Sequence, residues 1–171
     1  MNAGRFIKLA IVSFVVFFVL ITTIGLLFPP VVTVVRRATI QEPKEKVYPL
    51  IADTRNWHKW LADSTVEFKF ITTNSNGKGA AILIGGKKVE ITEATNDYIE
   101  ALWEMRENKN QTSGFYLQTD SSTNGTIVQL HFTQKLNWYP WERIASRLNE
   151  KILGPVLEGN LTKLEQAARE E

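Results

Sequence analysis

Residues 128–138 read VQLHFTQKLNW and residues 140–164 read PWERIASRLNEKILGPVLEGNLTKL, and the change of period between them decides the fold. In the first stretch Val128, Leu130, Phe132, Leu136 and Trp138 share one side, while Gln129, His131, Thr133, Lys135 and Asn137 share the other. That alternation marks a strand with one buried face. In the second stretch Ile144, Leu148, Ile152, Val156, Leu157, Leu161 and Leu164 form an apolar stripe too broad for a solvated helix. One long helix is therefore expected from Pro140 onward. Pro155 should bend it by removing a backbone donor, with Gly154 and Gly159 thinning the packing around the bend. The strand face and the helix stripe each need cover, and each can supply it to the other.

The strand texture extends backward from this stretch. Phe115 and Leu117 belong to a strand ended by the polar run DSSTNG. Over residues 98–107, Ile99, Ala101, Trp103 and Met105 alternate with Tyr98, Glu100, Leu102, Glu104 and Arg106. Residues 80–84 and 87–95 flank Gly85-Gly86, a two-residue hairpin turn in which glycine supplies positive φ angles, and this register points Val89 and Ile91 inward. Val66, Phe68 and Phe70 share a face opposite Glu67 and Lys69. The result is about six strands joined by hairpins into an antiparallel sheet.

Ahead of the sheet, residues 31–40 (VVTVVRRATI) are β-branched and bounded by prolines, which suits a first strand. Glu42-Pro43 opens a short helix to Ala52 with Val47, Leu50 and Ile51 as its apolar stripe, shortened or bent by Pro49. Asp53 or Thr54 can cap a second short helix carrying Trp57, Trp60 and Leu61.

Residues 9–28, LAIVSFVVFFVLITTIGLLF, carry no charge and number about twenty, the length that crosses a hydrocarbon core of about 30 Å. Arg5, Lys8 and the amino terminus precede the run, and the positive-inside rule keeps them in the cytoplasm with the domain outside, although Arg36, Arg37, Lys44 and Lys46 beyond the run oppose that orientation. A cleaved signal peptide has a shorter apolar core and a small-residue cleavage site. This run ends in Leu-Leu-Phe-Pro-Pro, so the helix is expected to be retained. The expected organisation is a cytoplasmic stub and transmembrane helix over residues 1–30 and one α+β domain over residues 31–171.

Composition removes several function classes. Without cysteine there is no disulfide, thiolate metal site or thiol catalysis. A net charge of +2 with scattered basic residues leaves no footprint for nucleic acid. Arg36-Arg37 is the strongest basic pair, and a pair falls short of the clusters that read as lipid recognition. Only His58 and His131 are present, neither at metal-ligand spacing from the other, so no metal site is assigned. No G-x-S-x-G occurs, and no catalytic residue or cofactor is assigned. Glu90, Glu100 and Glu104 read as solvated; any of them inside a cavity would instead be a candidate acid or base. Gly77-Lys78-Gly79 and Gly85-Gly86-Lys87-Lys88 lack phosphate-loop spacing and read as turns.

Residues 38–60, ATIQEPKEKVYPLIADTRNWHKW, and residues 152–166, ILGPVLEGNLTKLEQ, bracket this order of elements. With Ile51-Ala52-Asp53 ending a short helix, Trp57 and Trp60 spaced W-x-x-W, and Gly154-Pro155 followed by Gly159, Leu161 and Leu164, residues 31–168 resemble the START-like (SRPBCC) superfamily of helix-grip domains. Within it the likeness is to the polyketide cyclase/dehydrase and lipid-transport group. The resemblance implies a curved antiparallel sheet around the long helix, with a cavity between them that holds an apolar small molecule or lipid. Its chemistry depends on what lines that cavity.

Large rings on faces read as inward either pack solid or line an apolar pocket. The lining candidates are Trp57, Trp60, Trp103, Phe115, Leu130, Phe132, Trp138, Ile152 and Val156. The leading expectation is a membrane-tethered binding domain for a hydrophobic or amphipathic small molecule or lipid, held to the bilayer through residues 9–28. The alternatives are a cyclase- or dehydratase-like enzyme acting in the same cavity, which needs a titratable side chain inside it, and an envelope protein-interaction domain with the cavity collapsed. No protein partner is indicated.

Overall fold

The computed structural model describes residues 3–61, 65–105 and 110–171. Helix α1 (Ala3–Leu26) is apolar and exposed along nearly its whole length, and it is long and apolar enough to cross a membrane. It begins before the uncharged run, taking in Arg5 and Lys8, and ends ahead of Pro29-Pro30, where the missing donors stop a helix. Strand β1 (Val31–Ile40) follows at once, then α2 (Lys44–Ala52) with Pro43 as its N-cap. A 3-10 segment (Thr54–Lys59) comes next; Asp53 Oδ1 caps it by accepting from the Arg55 backbone amide at 2.9 Å.

Six strands then run in order: β2 (Phe68–Phe70), β3 (Ala81–Ile84), β4 (Lys87–Ala94), β5 (Tyr98–Trp103), β6 (Gln111–Asp120) and β7 (Gly125–Lys135). The sheet is antiparallel, in the order β1-β7-β6-β5-β4-β3-β2, so β2 to β7 form a meander and β1 closes beside β7. Gly85 and Gly86 close the β3–β4 hairpin with φ of 56° and 78°, as their spacing predicts. Strand β5 ends at Trp103, with Glu104 and Met105 already beyond it, and the rest of the expected extension to Glu107 lies outside the described residues.

The chain ends in α3 (Pro140–Ala145), a 3-10 turn (Ser146–Leu148) and α4 (Asn149–Glu170). The single long helix of the sequence reading is thus interrupted by one tighter turn. Ala145, Ser146, Leu148 and Asn149 all keep right-handed helical dihedrals, so the side-chain phase carries through the junction.

One face of the sheet is packed by α2, the 3-10 segment after it and the second half of α4. Ile82, Val89, Ile91, Ile99, Phe115, Leu117, Val128 and Leu130 from the strands meet Leu50, Ile51, Trp57, Trp60, Leu157, Leu161 and Leu164 in one buried cluster. The W-x-x-W pair has a specific task here. Trp57 Nε1 donates to Ile51 O and Trp60 Nε1 to Leu50 O, each at 2.8 Å, so both indoles satisfy carbonyls that the end of α2 would leave without partners.

Three placements correct the sequence reading. Trp138 is 58 % exposed because β7 ends at Lys135 and the chain leaves the sheet before the alternation reaches it. Ile152 and Val156 are 62 % and 53 % exposed while Leu157, Leu161 and Leu164 are buried, and Ile144 and Leu148 are exposed with them. Gly154 does not thin the packing: a methyl group there would overlap the guanidinium of Arg36, which crosses the helix at that point.

Candidate functional site

Rows of inward-facing residues run across the strands, and their character changes along β1. The row through Arg36, Leu130, Phe115 and Ile99, and the next through Val34, Phe132, Ser113 and Ala101, follow from the strand register. The row closest to α1 is Val32, Gln134, Gln111 and Trp103. The first two rows are largely buried under the helices, whereas all four members of the last are only partly buried. Gln111 and Gln134 stand directly opposite one another in it. Trp103 is fixed by its indole, which donates to Ser113 Oγ at 2.9 Å, with Ser113 itself buried.

Three clefts follow this uncovered row. One, of about 480 Å³, is lined by the Gly85-Gly86 turn, Glu104, Met105, Gln111 and Gln134. A second, of about 190 Å³, shares Gln134 and adds Leu136, Ala145, Ser146 and Asn149. The third, of about 300 Å³, shares Ser146 and adds Phe28, Pro29, Val32, Val34 and Glu150. The shared residues make them neighbours along one trench, which ends against the residues that follow α1.

The α1 end of the trench is firmly built. Leu136 N donates to Pro30 O at 2.7 Å and Arg143 Nη1 to Phe28 O at 3.3 Å, tying the segment after α1 to the end of β7 and to α3. Gly25 lies on Pro140 so closely that a Cβ would come within 2.6 Å of the proline Cα. Ser146 Oγ is satisfied locally by donating to Arg143 O at 2.7 Å.

The α4 wall is held by Arg36. Its Nη1 lies 2.7 Å from Glu150 Oε1 and its Nε 2.6 Å from Glu158 Oε1, so one guanidinium grips two carboxylates two turns apart with Gly154 between them. Those hydrogen bonds, Glu150 first, hold the guanidinium above its already high range despite partial burial. Of the carboxylates lining the trench, Glu150 is thus engaged by Arg36, Glu104 by Lys88 at 2.8 Å, and Glu142 accepts from the Asn137 backbone amide at 3.0 Å.

Solved structures share this architecture. A protein of unknown function from Staphylococcus aureus matches with a TM-score of 0.66 at 12% identity, over 81% of this chain and 94% of its own. A protein from Nitrosospira multiformis matches at 0.61 and 15% identity, over 79% of this chain and 94% of its own. The di-domain ARO/CYC StfQ from the steffimycin biosynthetic pathway matches at 0.58 and 11% identity, over 82% of this chain and 51% of its own. The chain has the helix-grip fold. No protein-family model matches the sequence, and neither does any curated protein.

In this helix-grip chain the expected lining residues divide into three groups. Trp57, Trp60, Phe115 and Leu130 fill the closed part of the grip and are buried. Trp103 and Phe132 are partly buried and pack against that core at the edge of the open part. Trp138, Ile152 and Val156 are outside. The residues that the sequence reading missed are Gln111, Gln134, Val32 and Arg36. Gln134 had a visible signal, since it interrupts the apolar side of β7 between Phe132 and Leu136. A polar residue on an inward face is the kind of local inconsistency that functional sites carry.

Proposed function

We propose that this chain is a membrane-tethered helix-grip domain that binds an amphipathic small molecule or lipid in the trench beside α1. The carrying observation is the open row Val32, Gln134, Gln111 and Trp103, where two facing amides interrupt an otherwise apolar surface. An apolar ligand body would lie along Val32, Leu136 and Met105, which line the three clefts, gaining about 25 cal/mol for each Å² removed from water. The amides of Gln111 and Gln134 would orient its polar end, in the manner of pockets that combine apolar walls with a few placed polar groups. The individual clefts, about 190, 300 and 480 Å³, lie below or in the lower half of the usual pocket range of about 300–1,000 Å³, so a ligand of lipid size would occupy more than one of them. Binding is favoured over catalysis because Glu104 and Glu150 are committed to cationic partners and Glu142 to the Asn137 backbone amide, which leaves none of the three without a structural partner.

With α1 as a retained span, Arg5 and Lys8 sit on the cytoplasmic side and the domain on the other, and the trench opens where a molecule leaving the bilayer would arrive. The test is organic extraction and mass spectrometry of the full chain purified from membranes, beside Val32→Trp, which fills the trench, and Gln134→Leu, which removes one amide. A discrete apolar species should be present in the parent, lost in Val32→Trp and reduced in Gln134→Leu. Equal recovery from all three would show that the extracted lipid belongs to α1 alone and would end this reading.

A further inference from the structure

Apart from Leu27 directly after α1, the large apolar side chains beyond α1 that are more than half exposed among the described residues lie together on the segment that α1 touches. Trp138, Tyr139 and Trp141 stack in series, with ring centroids 4.9 and 5.0 Å apart, and are exposed. Ile144, Leu148, Ile152 and Val156 follow at four-residue spacing through α3, the 3-10 turn and the first half of α4, all exposed. Four-residue spacing drifts by about 40° at each step and the 3-10 turn adds to it, so these four spread over a third or more of the helix circumference, each on an exposed part of it. A soluble domain has no reason to hold such a stripe in water, and contiguous patches of this kind mark an interaction surface.

The occupant follows from where the patch is fastened. Gly25, one residue before the end of α1, packs on Pro140, between the stacked Tyr139 and Trp141. The end of a spanning helix lies at headgroup depth, so Pro140 and the rings beside it lie there too. Tryptophan and tyrosine are the residues enriched at that depth, where an apolar ring meets a wet layer. We infer that Trp138, Trp141, Ile144, Leu148, Ile152 and Val156 form a docking face that rests in the bilayer interface at the foot of α1, so that the helix-grip domain lies against the membrane rather than swinging on a tether. This rests on α1 spanning the membrane. The face is built of apolar side chains, so the docking does not require anionic lipid.

The absence of cysteine makes the test direct. Single spin labels are placed by Ile152→Cys, Val156→Cys, Gln118→Cys on the exposed β6 surface, and Val16→Cys in α1, in the full chain reconstituted into neutral phosphatidylcholine vesicles. Labels at 152 and 156 should resemble the label at 16, more accessible to oxygen than to a water-soluble nickel chelate, with the reverse at 118. Aqueous accessibility at 152 and 156 with a lipid-exposed label at 16 would overturn the docking face and leave the span intact. Aqueous accessibility at 16 as well would remove the span, and the docking face with it. Dipolar broadening between labels at 152 of two molecules would assign the face to a second copy of the chain and overturn the inference equally.

Discussion

The two halves of α4 carry the same residue types at the same spacing and do opposite things. In the second half Leu157, Leu161, Leu164 and Ala168 are buried against α2, the 3-10 segment and the sheet. In the first half Ile152 and Val156 face outward, and the inward side is held by an arginine reaching across a glycine to two glutamates. An apolar stripe therefore states only that a surface avoids water. What it meets is set by the elements brought alongside. In the second half these are the indoles and α2, and in the first half they are β1, the trench and α1.

The contrast can be broken by mutation. Leu164→Ala should cost about 3 kcal/mol, since it removes a fully buried side chain from a packed cluster. Urea unfolding of the full chain in detergent micelles would measure it. A value under about 1 kcal/mol would mean that the second half is not the closed one. Trp60→Phe keeps most of the ring volume but removes the donor to Leu50 O, and should cost about 1–2 kcal/mol by leaving that buried carbonyl unpaired.

A smaller effect comes from the outer face of the sheet. His131 sits over Gly114 beside Tyr98, where a methyl group on the glycine would overlap the imidazole. Burial holds its pKa below the usual 6.5, against a weaker upward pull from Glu100. The unfolded chain therefore binds the proton more readily. The stability involved is fully present above 6.5 and is lost as pH falls through the lower folded value. His131→Gln should flatten the pH dependence of urea midpoints across that window; an unchanged slope would assign it to other groups. Smallest of all, Ile152→Ala should change stability in micelles by no more than about 0.5 kcal/mol, the size expected for an exposed site. A loss comparable to that of Leu164→Ala would place Ile152 in the core after all.

Much of the architecture was legible because local chemistry and burial agree there. Gly85-Gly86 needed positive φ and received it, and Ile99, Ala101 and Trp103 alternate with Tyr98, Glu100 and Leu102 as the pleat requires. The short helix ending at Ala52 and the W-x-x-W pair after it fall where their residues suggest. What stayed hidden depends on partners distant in sequence. Arg36 reads as a solvated charge until Glu150 and Glu158 arrive from the other end of the chain. Ile152 and Leu161 stand nine residues and so half a turn apart around the helix, and only tertiary packing decides which of the two sides is covered. Trp138 continues the phase of β7 but not its strand. Of the site itself, Trp103 and Phe132 were visible as inward rings. The amide of Gln134 was signalled only by its break in the apolar side of β7, and that of Gln111 was hidden until the register set the two face to face.

Occupancy of the open row is the central claim, and photo-crosslinking in intact membranes reads it most directly. A benzophenone amino acid replacing Gln134 in the full chain, with the same replacement at Gln118 as reference, reports what lies beside each position on illumination. An adduct of lipid or small-molecule mass is expected at position 134 and none at 118. Adducts only to protein at 134, or equal small-molecule labelling at both positions, would contradict it.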